Sequence, residues 1–188
     1  MNKHNRHSHR RRKLERKQGN RPPYPRVLIV CEGEKTEPNY FDEIRQEWRI
    51  PALHWEILPS EFGTGPEKVV EFAERKAQKE GRWEEIYCVF DRDEHLHYKE
   101  AISKAQSKAG KLWTKEKGNA PVVFMAIPSD PCFELWFLIH FQEFTREEHR
   151  DEVQRLLETH VPGYNKGCGG MFSNMFTNFK MHANMLRN

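Results

Sequence analysis

Long apolar runs are missing from this chain. No stretch approaches the ~20 residues that cross a bilayer, which excludes a membrane-embedded protein. Mean hydropathy is correspondingly low, at −0.91. No apolar stretch follows the basic N-terminus, so no secretory signal is expected there. Cysteine is scarce: Cys31, Cys88, Cys132 and Cys168 are widely spaced and form no C-x-x-C. That argues against a disulfide framework or a zinc-finger core and for reduced thiols in a cytoplasmic protein. A phosphate-cradling loop is absent too, because Gly63-Thr64-Gly65-Pro66 lacks the lysine and the spacing of a P-loop.

Acid is almost missing from the first 26 residues. They hold ten Lys/Arg against Glu15 alone, a charge of +9 that leaves −6 for the rest of a chain whose total is +3. With almost nothing apolar to bury, residues 1–25 are expected to be a disordered basic arm. Its Arg10, Arg11, Arg12, Lys13, Arg16 and Lys17 are suited to nucleic-acid phosphates, with a solubilising tail as the plainer alternative. His4, His7 and His9 read as polar filler beside those arginines. Pro22, Pro23 and Pro25 then make a stiff linker into the body.

What the 188 residues do contain is one domain's worth of alternating strand and helix signals. Val27–Cys31, Leu53–Leu58, Ile86–Phe90 and Val122–Ile127 read as apolar strands. Helices are expected from Thr36, as its cap, with Pro38 in the first turn, and after Gly63–Pro66. Further helices are expected over Glu94–Lys108, Pro131–Phe141, Arg146–Thr159 and Met171–Leu186. This alternation predicts an α/β fold: a parallel sheet of about four strands with helices on both faces, a core over 26–142, and a helical C-terminal extension over 143–188. The Met- and Asn-rich end of that extension has an incomplete apolar face, to be finished by a partner or a second copy of the chain, with a marginal terminal helix as the plainer alternative.

Ligands in such sheets sit beyond the C-terminal strand ends. Here those ends are acidic: Glu32, Glu34 and Glu37 after the first strand, Asp91 and Asp93 after the third, Asp130 and Glu134 after the fourth. Like charges in one cleft repel, and a hard divalent cation such as Mg²⁺ or Mn²⁺ is their natural partner. Asp91 and Asp93 are one residue apart, so an extended segment points them the same way. Gly33 would leave space for a phosphate. Exposed acids at loop starts are common, however, and D-x-D alone is weak. Glu34 and Glu37 also suit a helix N-terminus without any metal. Glu134 is the sharper signal, because CFELWFLIHF has only Glu134 and His140 as polar residues. A carboxyl there needs an Arg, a helix N-terminus or a metal. Arg92 reads as a structural ion-pair partner, and His140 as a satisfied histidine with no catalytic role.

A strand followed by EG and another followed by D-x-D resembles the topoisomerase–primase (Toprim) domain. More specifically, VLIVCEGEKTEPNYF, VFDRDEH and IPSDPCFELWFLIHF resemble the RloB-like proteins, bacterial Toprim proteins encoded in or near restriction and abortive-infection loci. The resemblance runs from about Arg26 to Lys166 and implies a three-layer Rossmann-like fold. The overcoming-lysogenisation-defect nucleases share that plan. By the resemblance, Glu32 is a metal ligand or general acid/base, Asp91 and Asp93 are the metal-binding pair, and Glu134 completes a second metal position. Glu37 matches the acid ending the first motif, displaced by one residue. Lys166 is a candidate for the lysine those nucleases use. No tyrosine stands where a strand-passage nucleophile is expected. The implied activity is a nuclease with one or two Mg²⁺ or Mn²⁺, acting on DNA or RNA (tRNA included) in anti-phage defence. Three alternatives stay open: a nucleic-acid-binding subunit gated by a partner ATPase, a Mg²⁺-dependent nucleotide-processing enzyme, and a purely structural clustering of acids, which Glu134 makes the least attractive.

Overall fold

A computed structural model describes residues 24–63, 65, 66–92, 95, 97–115, 119–145 and 147–177. Its elements run β1 (Val27–Cys31), α1 (Thr36–Glu47), β2 (Trp55–Pro59), α2 (Pro66–Glu80), β3 (Glu85–Asp91) and α3 (Tyr98–Lys108). Then come β4 (Trp113–Thr114), β5 (Ala120–Pro121), β6 (Val123–Ser129), α4 (Glu134–Leu138) and α5 (Arg150–His160). Residues 171–177 are also helical. The main sheet is parallel throughout, in the order β2-β1-β3-β6.

Period-two patterning assigns the two faces. Leu28, Val30, Ile86, Cys88, Phe90 and Phe124 point to one side, where Val69, Val70 and Ala73 of α2 and Ala101 and Ala105 of α3 cover them. Val27, Ile29, Cys31 and Val89 point to the other, under Tyr40 and Ile44 of α1, Phe133, Phe137, Leu157, Met171 and Met175. Each of these large apolar side chains contributes roughly 1.5–3 kcal/mol by leaving water. Cys132, Leu138 and Val153 close a smaller cluster between α4 and α5. All four cysteines are free thiols. No described helix is long and apolar enough to cross a membrane.

Several boundaries differ from those the sequence suggests. Thr36 does not cap α1; Lys35 stands at that position without a side-chain hydrogen bond, and Thr36 is buried as the first helical residue. The second strand begins at Trp55 rather than Leu53, which is exposed. The third helix starts at Tyr98 instead of Glu94, because the chain turns first: the His95 N–H donates to the Arg92 carbonyl at 3.1 Å. The apolar helix expected over Pro131–Phe141 is regular only over Glu134–Leu138. Both ends tighten into i→i−3 bonds, Leu135 N–H to Cys132 O and Phe141 N–H to Leu138 O. The last helix expected, Met171–Leu186, is described only to residue 177. The short β4–β5 hairpin has no counterpart in the sequence reading.

Candidate metal and phosphate site

The strand order reverses between β1 and β3. From β1 the chain goes by α1 to β2 on one side, while β3 leads towards β6 on the other. The crevice beyond the carboxyl ends at such a switch point is the usual ligand position. Glu32 and Asp91 stand there side by side. The Glu32 N–H donates to Val89 O at 2.9 Å, extending the ladder past the strand, and the Asp91 N–H donates to Glu32 Oε2 at 3.1 Å. Glu32 Oε1 lies 3.0 Å from His95 Nε2. Both oxygens of Glu32 are therefore oriented, one by backbone and one by a ring nitrogen. Asp91 itself is buried.

Two further acids close on this pair from the helices. Glu37, in the first turn of α1, is buried against Gly33, where a Cβ would collide with its Oε2. The space that Gly33 opens is thus filled by a carboxyl of the same chain, not left for a phosphate. Burial raises the pKa of the Glu37 carboxyl. Its own backbone N–H and Lys166 oppose the rise, and Glu134 and Glu32 add to it. Those influences place Glu32, Glu37, Glu134 and Lys166 within electrostatic reach of one another.

Glu134 is fully buried. Its Oε1 accepts from the Tyr164 hydroxyl at 3.3 Å, and its Oε2 has no hydrogen-bond partner. Burial, followed by the Glu134 charge, drives up both the Tyr164 hydroxyl and the Cys132 thiol. The Cys132 thiol also feels Asp91, which ties the β3 end to the α4 end. Lys166 is exposed at the rim and lines a polar groove with Asp151, Gln154, Arg155, Glu158, Tyr164 and Asn165. Its position is set from α1: Asn39 Nδ2 donates to the Gly167 carbonyl at 2.9 Å, and the Phe172 N–H donates to Glu43 Oε2 at 2.9 Å.

The expected residues thus divide into three groups. Glu32, Glu37, Asp91 and Glu134 gather at one sheet edge, with Lys166 beside them. Glu34 is exposed and stays outside the buried group. Asp93 and the arm residues Arg10, Arg11, Arg12, Lys13, Arg16 and Lys17 lie outside the described residues. Arg92 makes the ion pair expected of it, and the partner is Asp130 Oδ2 at 2.6 Å. His140 Nδ1 lies 2.7 Å from the Trp136 carbonyl, a local contact away from the acids. Sequence reasoning missed His95 and Tyr164. The only available hint for His95 was its alternation with Asp91 and Asp93, and Tyr164 gave none.

The donor set is all carboxylate at the acids, and Glu134 Oε2 is a buried oxygen still short of a partner, so these residues suit a hard divalent cation. Among the described residues, no three His, Cys, Asp or Glu side chains already converge closely enough to hold one. The acids are gathered but not closed.

Comparison with known proteins gives one match. No curated protein and no solved structure matches the chain. The model of one family, described as RloB-like protein, spans residues 27–183. That range holds the whole sheet, all four gathered acids and Lys166, and the chain belongs to the RloB-like family.

Proposed function

We propose that this protein is a metal-dependent nuclease of the Toprim type that cleaves phosphodiester bonds in bacterial anti-phage defence. The observation that carries the reading is Glu134, a fully buried carboxyl with an unpartnered oxygen, beside acids delivered by two adjacent strand ends. Such an arrangement costs free energy on its own, and a bound cation would offset that cost. Glu32, Asp91 and Glu134 are the residues that would hold Mg²⁺ or Mn²⁺, with Asp93 as a further ligand by the family resemblance. When bound, such an ion neutralises phosphate oxygens and makes water a better nucleophile at neutral pH.

The chain's own groups do the rest. The Asp91 N–H fixes one Glu32 oxygen, so that carboxylate is held before substrate arrives. Tyr164 holds Glu134 Oε1 and leaves Oε2 without a partner. Lys166, at the rim, supplies positive charge to a phosphate. The +9 arm supplies sequence-independent, salt-dependent attraction to the polyanion.

The test is cleavage of plasmid, single-stranded DNA and total tRNA with Mg²⁺, Mn²⁺ or EDTA, wild type beside Asp91→Ala. Metal-dependent cutting by wild type alone supports the nuclease and names its substrate class. Turnover of free nucleotides but not polymers moves the reading to nucleotide processing. Metal-dependent binding without cutting moves it to a gated subunit.

A further inference from the structure

We infer that His95 is itself a ligand of the cation held at the strand ends, and that its nitrogen makes this centre favour a transition ion such as Mn²⁺ over Mg²⁺. The inference rests on the metal-site reading above and specifies its ligands and its ion. Its basis is the distance between two donor atoms. Glu32 Oε1 and His95 Nε2 are 3.0 Å apart. Donors on adjacent vertices of an octahedron with bonds of about 2.1 Å stand about 3.0 Å from each other. The two donors already stand at that spacing.

A purely orienting role for His95 is the competing explanation, and the surroundings weigh against it. The other Glu32 oxygen already accepts the Asp91 N–H, so the carboxylate is aligned without the imidazole. The ring is partly exposed, and an ion pair or hydrogen bond to such a group contributes little stability. Backbone hydrogen bonds on both sides of His95 fix where the ring stands. The His95 N–H donates to the Arg92 carbonyl and the Tyr98 N–H to the His95 carbonyl, and α3 begins only at Tyr98. Binding uses the tautomer that carries its proton on Nδ1, which frees the Nε2 lone pair for the ion.

Oxygen-only sites suit Mg²⁺, whereas an imidazole shifts preference towards first-row transition ions. The probe is Mn²⁺ added to the full chain, read by electron spin-echo spectroscopy for histidine nitrogen coupling. The measurement uses wild type with natural and ¹⁵N-labelled histidine, then His95→Ala. Coupling that changes isotope with the label, and vanishes in His95→Ala, supports the inference. In the same variant Mn²⁺ affinity should fall about 10–100-fold, with Mg²⁺ affinity changed far less. The label experiment needs no substitution, so it stands even where His95→Ala does not fold. Mn²⁺ bound without histidine coupling, or coupling that survives in a folded His95→Ala, overturns this inference and leaves the metal site intact. Failure of both ions to bind at all overturns the metal site as well.

Discussion

Replacing Glu134 by Gln separates a metal site from a structural acid. The side chain is fully buried, with one oxygen on Tyr164 and the other unpartnered. An unsatisfied buried polar atom costs about 1–3 kcal/mol. Gln keeps the shape and keeps an acceptor for the Tyr164 hydroxyl. It also removes the charge repulsion with neighbouring Glu37. In EDTA, Glu134→Gln should therefore be more stable than wild type by about 1–2 kcal/mol. For a chain of this size that raises the melting temperature by about 2–8 °C. Saturating Mn²⁺ should reverse the order, because wild type gains about 2.7 kcal/mol at a hundred times its Kd and the variant gains little. Thermal unfolding of both proteins in both buffers measures all four values. A variant that is destabilised in EDTA and stabilised by Mn²⁺ as much as wild type refutes the reasoning, since Glu134 would then be a satisfied structural acid.

Three other outcomes are expected. Gly33→Ala forces its Cβ against the Glu37 carboxyl and should cost about 1–3 kcal/mol; a urea-denaturation double-mutant cycle with Glu37→Ala should recover most of that loss. Glu37 has a folded-state pKa raised above its ordinary 4.5, chiefly by burial, so its contribution to stability is present below pH 4.5 and lost as pH rises. In EDTA the stability difference between Glu37→Gln and wild type should consequently move in the variant's favour above that pH, and a flat difference would remove the argument. Glu43→Ala strips the acceptor from the Gly170 and Phe172 N–H groups and should cost about 1.5–3 kcal/mol; faster amide exchange at residues 168–172 would report the loss.

Much of the architecture was legible because its signals are local. VLIVC and IYCVF are continuous apolar runs, and a strand buried on both faces needs that pattern. Gly65-Pro66 opens α2 at the expected residue, with Pro66 in its first turn. Glu32, Asp91 and Glu134 were readable as a set because parallel strands deliver their following residues to one edge. What was hidden depends on contacts across long stretches of chain. Only the folded structure shows that Glu37 fills the space at Gly33, or that Tyr164 reaches Glu134 across thirty residues. The contraction of α4 was hidden for another reason: CFELWFLIHF has helical periodicity throughout, but that periodicity does not tell an α-turn from the tighter turns at both its ends. The exit of His95 towards Glu32 was hidden because VFDRDEH reads equally well as the lead-in to a helix.

The return of residues 164–172 onto α1 has a consequence in time. Asn39 and Gly167 are separated by 128 positions, and Glu43 and Phe172 by 129. During synthesis the strands and all four gathered acids leave the ribosome well before Tyr164 and Lys166. A growing chain thus carries its acidic edge without the hydroxyl that holds Glu134 and without the nearby ammonium. Long-range closures of this kind also form late in folding. If the centre cuts nucleic acid, its acids are made before the groups that hold and balance them, and the site is complete only once residues 164–172 have folded back onto α1.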